Sequence, residues 1–204
     1  MKTIVTKENL AIVAPYIDVR SPKLELNYLY VDSEYIVATN TRVLGAAKHY
    51  DAEIVEQDSA PFLVHKSIVD LALKQTKALY FELSSGQIKC LDKDHEEIIT
   101  ISKRDVSMDM FKYPPYKSII PTDMKEKIPF TQSSQIDGIL ALNKIQINPK
   151  FIPKINVKGD GDFLGGYVGI ESRERPIKIS EKNGSFVVVI MPIIDQLSIF
   201  NEGN

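Results

Sequence analysis

The chain has 204 residues, 44% of them hydrophobic and 25% charged, the balance of a globular protein with a buried core in one large or two small domains. A formal charge of −2 excludes a uniformly basic nucleic-acid binder while leaving room for a local basic face. Cys90 is the only cysteine, which excludes an intrachain disulfide and fits a reducing setting. The N-terminal MKTIVTKENL has no signal-peptide core, and no apolar run is long enough to span a membrane, so a cytoplasmic protein is expected.

In chain order, Lys2 to Thr6 has strand character, and Thr6 is placed to cap a short helix with Leu10, Val13, Ala14 and Ile17 on one face and Pro15 limiting its length. Leu24 to Val31 and Tyr35 to Ala38 alternate around an Asp32-Ser33-Glu34 turn and predict a hairpin, with Leu44 to His49 continuing the sheet. Phe62 to Val64 predicts a strand leading into a helix over Lys66 to Lys77. Ala78 to Leu83, Gln87 to Leu91 and Glu97 to Ser102 predict three more strands, with a turn at Ser84-Ser85-Gly86. Strand, helix, strands thus occurs twice before residue 104, a structural repeat without repeated residues. Single helices against runs of antiparallel strands predict an α+β fold with helices on one face.

Tyr113 to Asp123, YPPYKSIIPTD, reads as a proline-rich linker. Ile136 to Leu142 fits helix or strand. Asn148 and Pro149 resemble the cap and first turn of a short helix over Lys150 to Ile155. Tyr167 to Glu171, Ile177 to Ser180 and Phe186 to Ile190 predict three strands, the last two joined by a Glu181-Lys182-Asn183-Gly184 turn. The expected division is residues 1–112 with two repeat units, a linker over 113–127, a shorter second domain over 128–193 and a tail over 194–204.

Several separated phrases carry a resemblance. Val37 to Ala47, VATNTRVLGAA, follows a hairpin; Leu63 to Leu73, LVHKSIVDLAL, is a strand-helix joint; Lys112 to Pro121, KYPPYKSIIP, ends in proline; Phe186 to Ile193, FVVVIMPI, closes the last strand. In this order they resemble the middle and last domains of the bacterial sliding clamp, the β subunit of DNA polymerase III. The resemblance implies a DNA-clamp-like fold of repeated strand-helix-strands units and a processivity factor that holds replication proteins on duplex DNA without reading its sequence. Asn40 to Val43 depart from the family's pattern. The family's leading domain has no counterpart here, so the resemblance is to a shortened clamp.

Under that resemblance Lys66, Lys74 and Lys77, with Lys150, Lys154 and Lys158, would contact phosphates, which suits a sliding protein. A plain solvated stripe fits the same spacing. The family's peptide pocket maps onto Thr39, Leu44, Pro121, Val189, Met191 and Pro192. Gln196, Leu197, Ser198, Ile199 and Phe200, QLSIF, are similar to the peptides that grip such a pocket; a last amphipathic turn packed on its own domain also fits. Partners implied are duplex DNA, a polymerase or another clamp-binding protein, a second clamp through the tail, and further copies in a homo-oligomer. An adaptor that docks on a true clamp without encircling DNA is the alternative. No catalytic constellation, metal site or cofactor motif is present: His49, His65 and His95 are scattered, Asp160-Gly161-Asp162 lacks later calcium ligands, and Asp92, Asp94, Glu96 and Glu97 surround a turn.

Overall fold

The computed structural model describes residues 2–50, 60–103, 113–122, 124–154 and 165–193. They form twelve strands and three helices in three successive β-α-β-β-β units. The first unit is β1 (Thr3–Thr6), α1 (Lys7–Val13), β2 (Tyr28–Val31), β3 (Tyr35–Thr39) and β4 (Val43–Lys48). The second is β5 (Phe62–His65), α2 (Lys66–Leu73), β6 (Tyr80–Ser84), β7 (Gln87–Leu91) and β8 (Glu97–Ser102). The third is β9 (Glu126–Phe130), α3 (Ser134–Leu142), β10 (Gly166–Ile170), β11 (Ile177–Glu181) and β12 (Phe186–Ile190). No helix among the described residues is long and apolar enough to cross a membrane.

All strand pairs are antiparallel. Four strands form one sheet, β1-β6-β7-β8, and eight form the other, β5-β2-β3-β4-β12-β11-β10-β9. Units one and two exchange first strands: β1 lies beside β6, and β5 beside β2. Their helices lie side by side and antiparallel. Lys7 Nζ, at the start of α1, donates to Gln75 O beyond the end of α2 at 2.7 Å, and Lys66 Nζ, at the start of α2, reaches Ala14 O beyond the end of α1 at 3.5 Å. Among the described residues unit three has no exchange partner, and β9 pairs with its own β10. The large sheet therefore reads the same outward from its middle, where the last strands β4 and β12 meet.

Local chemistry accounts for the boundaries. Thr6 Oγ1 accepts from Asn9 N at 3.1 Å and starts α1, whose Leu10 and Val13 are buried with Ala14 and Ile17 beyond its end, as the spacing predicts. The helix predicted over Lys66 to Lys77 ends earlier, at Leu73. Lys74 is its C-cap, and turns closed by Gln75 N to Ala72 O and Ala78 N to Gln75 O drive Ala78 into the core, which leaves Lys77 off the helix. Leu71 is exposed.

Leu24 to Asn27 is a 3-10 turn rather than strand, because Leu26 is buried through Asp18 N donating to Leu26 O at 2.8 Å. The helix expected over Lys150 to Ile155 is one 3-10 turn, Pro149–Phe151, with Asn148 Oδ1 capping Lys150 N as its sequence suggests. Pro153 cannot donate to a longer helix. Ile136 to Leu142 resolves as helix, within α3. The strand β9 starts inside the stretch read as linker, so unit three has the full strand-helix-strands order, and the shared sheet joins it to unit one.

Candidate functional site

The eight-stranded sheet has two faces, set by strand alternation. Gly45 in β4 points toward the helix layer: a Cβ there would lie 2.5 Å from the Tyr16 ring. Its neighbours Leu44 and Ala46 point the other way, into a separate apolar cluster with Val37, Val187, Val189 and Tyr116.

On that outer face the register builds one cross-strand row. Thr39 is opposite Leu44, Leu44 opposite Val189, Val189 opposite Lys178, Lys178 opposite Gly169 and Gly169 opposite Lys127. Three residues predicted for a peptide pocket are thus consecutive. Lys178 Nζ donates to the carbonyl of a fourth, Pro121, at 2.8 Å. Just past β12, Met191 N donates to Arg42 O at 2.9 Å, which holds Met191 and then Pro192 at the junction of β4 and β12. Thr39 Oγ1 donates to Val43 O at 2.8 Å, so its hydroxyl is spent on the β3–β4 turn. Thr39, Leu44 and Val189 are buried, Pro121 and Pro192 are half-buried, and Met191 is 45% exposed. Ile193, bound through its N–H to Gln146 O at 2.7 Å, is 56% exposed beside it. A cavity of about 400 Å³ extends the row, lined by residues that include Met124, Lys127, Tyr167, Lys178 and Lys182. The site is an apolar floor with an exposed methionine on one side and lysines on the other.

The stretch read as linker is a strap over this floor. Tyr113 stacks on Tyr30 with ring centres 4.5 Å apart, and its hydroxyl donates to Val37 O at 3.3 Å. Tyr116, buried over Leu44 and Val189, donates its hydroxyl to Asp32 Oδ2 at 2.6 Å. Burial first, and then that bond, holds the Tyr116 phenol well above the usual tyrosine range; burial does the same for Tyr113. Asp32 is the hub: Oδ1 accepts from Glu34 N and Tyr35 N at 2.9 Å each, and its carbonyl accepts from His49 Nε2 at 2.7 Å. Burial pushes the His49 imidazole below its ordinary value, which suits a neutral ring donating from Nε2. Sequence reasoning missed Asp32, Tyr116 and Lys178. The alternation of IKIS in β11 was the available signal for Lys178, but nothing local links Tyr116 to Asp32.

The helix face is less cationic than the sequence expectation. Lys66 pairs with Asp70 at 2.8 Å, which neutralises it. Lys74, Lys77, Lys150 and Lys154 are exposed and make no ion pair with the described residues. The α3 helix carries no lysine or arginine. His65 caps α2 through Nδ1, which accepts from Ser67 N at 3.0 Å; burial first and then Lys103 keep it below the ordinary imidazole value. Asp92 Oδ1 accepts from Asp94 N and Glu96 N at 2.9 Å each, a self-capped turn. Lys158, Asp160 to Asp162 and the QLSIF residues Gln196, Leu197, Ser198, Ile199 and Phe200 lie outside the described residues.

No family model matches the sequence, and no curated protein matches it. Solved structures do match. The chain is 17% identical to DNA polymerase III subunit beta from Borrelia burgdorferi, with a TM-score of 0.62 over 95% of this chain and 64% of that one. It is 15% identical to the DNA polymerase sliding clamp from Pseudomonas aeruginosa, TM-score 0.61, over 96% and 66%. Against the H. pylori beta clamp the values are 14%, 0.63, 95% and 66%. The chain therefore spans about two thirds of the length of the clamps it matches. Three repeated units, two antiparallel sheets and near-complete coverage of the chain lead to one conclusion: this chain has the α+β fold of the bacterial DNA polymerase III β sliding clamp, over about two thirds of that protein's length.

Proposed function

We propose that the chain is a clamp-like processivity factor whose β4–β12 junction is the dock for clamp-binding peptides. The observation that supports this most is the row Thr39, Leu44, Val189, beside which Lys178 holds Pro121 and Arg42 holds Met191, because residues far apart in the sequence meet there in one largely apolar site. A peptide with a leading glutamine, two aliphatics and an aromatic would bury large apolar groups there, each contributing roughly 1.5–3 kcal/mol before ordering costs. A synthetic peptide spanning residues 194–201, titrated in trans, tests it. It should bind the chain at micromolar concentration, and Met191→Glu, a change at an exposed position, should weaken binding at least roughly tenfold. Equal binding by the Met191 variant would move the dock elsewhere.

A second reading, a non-encircling adaptor that docks on a separate clamp through its tail, draws on the neutralised Lys66 and the lysine-free α3. Duplex binding separates the two. A DNA tether binds any sequence weakly, with affinity that falls steeply with salt, and the combined Lys74→Ala, Lys77→Ala, Lys150→Ala, Lys154→Ala variant flattens that slope. An adaptor shows no salt-dependent duplex binding for these changes to remove.

A further inference from the structure

The three helices are not equally covered. α1 and α2 lie side by side, and each buries three apolar residues: Leu10, Ile12 and Val13 in one, Ile68, Val69 and Ala72 in the other. α3 is longer, yet it buries only Ile136 and Leu140. Its Ile139 is half-buried, Ala141 is exposed, and Leu142 stands 85% exposed. A Cβ at Gly138 would meet nothing within 4 Å. Asp137 is the only charge on the helix, so its open side is apolar and small.

The connections explain the difference. β1 runs straight into α1 and β5 straight into α2, and each of these strands joins the other unit's second strand, which brings the two helices together. In unit three Thr131 to Ser133 separate β9 from α3. Gln135 Oε1 accepts from Thr131 N at 2.6 Å and from Gln132 N at 3.1 Å, a turn that returns β9 to its own β10. Unit three closes its sheet alone, and among the described elements no second helix covers α3 as α2 covers α1.

The pattern on α3 names the missing neighbour. Asp137 and Lys144, both exposed, lie two turns apart on one edge of the open side, Lys144 just past the helix end. Ile139 and Leu142 lie on the other edge, and Ala141 is between. For two antiparallel helices, Asp137 opposite Lys144 and Ile139 opposite Leu142 require the same register, centred between Leu140 and Ala141. One alignment therefore pairs the charges and the apolar side chains together, and it is an alignment of α3 with itself.

We propose that α3 is an interface helix and that its occupant is α3 of a second copy of this chain, packed antiparallel about a two-fold axis beside Ala141. The contact is self-complementary, as such an axis requires. The pair α1 and α2 is the precedent within the chain: they too run antiparallel, with reciprocal contacts from Lys7 to Gln75 O and from Lys66 to Ala14 O. Gly138 and Ala141 let the two backbones approach closely. The proposal rests on the helix layer alone and holds whether or not the β4–β12 junction docks a peptide.

Ala141→Cys in a Cys90→Ala background, introduced in the full chain, reads this contact. Under mild oxidation it should give a covalent dimer. Asp137→Lys and Lys144→Glu each set like charges together and should lower the dimer yield roughly threefold to tenfold at low salt; the two combined restore opposite charges and should recover it. No covalent dimer, a yield that ignores the reversals, or a combined variant no better than either single change overturns the proposal. Should the cysteine variant fail to fold, sedimentation of Leu142→Glu over a concentration series decides, because that side chain is exposed and the change spares the fold of one copy. Self-association should weaken at least roughly tenfold relative to the wild type. Unchanged mass and affinity, or a wild type that is monomeric throughout, refutes the α3 contact.

Discussion

Gly45→Val should destabilise the chain by about 3 kcal/mol, an overpacking cost at the upper end of the usual range. A Cβ at Gly45 would lie 2.5 Å from Tyr16 Cδ2 and 2.7 Å from Cε2, closer than any real contact. The ring has no room to retreat: Tyr16 is buried, and its hydroxyl donates to Phe151 O at 2.9 Å, tying unit one to unit three. Nor can the backbone move outward, because β4 is hydrogen-bonded on both sides, to β3 and β12. Gly45→Ala carries the same clash in smaller form and should fall between. Denaturant midpoints measure the series, and a valine variant as stable as the wild type would show that the helix layer is far softer than this packing implies.

Asp32→Ala should cost roughly 2–4 kcal/mol and loosen the strap, since one carboxylate serves three donors. Two are backbone N–H groups of the β2–β3 turn, and the third is the buried Tyr116 hydroxyl, which would be left without an acceptor. The neighbouring Lys117–Glu34 pair, at 2.6 Å but more than half exposed, contributes little in comparison. Chymotrypsin cleavage after Tyr116, which Lys117 follows, reports strap release directly. It should rise sharply in Asp32→Ala and modestly in Tyr116→Phe, which loses a single bond. Unchanged cleavage in Asp32→Ala would mean that aromatic packing alone holds the strap.

Much of this architecture was legible because alternation and capping are local. The hairpin around Asp32, the strands β7 and β8 and the start of α1 follow from periods of two and from one threonine. Strand β9 was missed because Pro129 argues against a strand, and proline is tolerated there only because β9 is an edge, which no local window reveals. The end of α2 was misplaced because burial of Ala78, a tertiary demand, overrides the helical preference of Lys74 to Lys77. At the candidate site, Leu44 and Val189 were named through resemblance. That they are direct cross-strand partners, capped by a tyrosine from what reads as a linker, depends on pairing between segments 145 positions apart (189 minus 44) and leaves no trace in either segment.

The β4–β12 seam also fixes the order in which the molecule can be made. During synthesis the apolar edge Val43 to Ala47 leaves the ribosome long before Phe186 to Ile190, the strand that covers it. Until then β4 has β3 on one side and nothing on the other. The entropy of closing so long a loop grows only slowly with length, but the contact still belongs to the late, non-local class that slows folding. Every nascent chain thus passes through a stage in which one apolar edge of β4 is open, and that interval is when this edge is most exposed to pairing with the wrong chain.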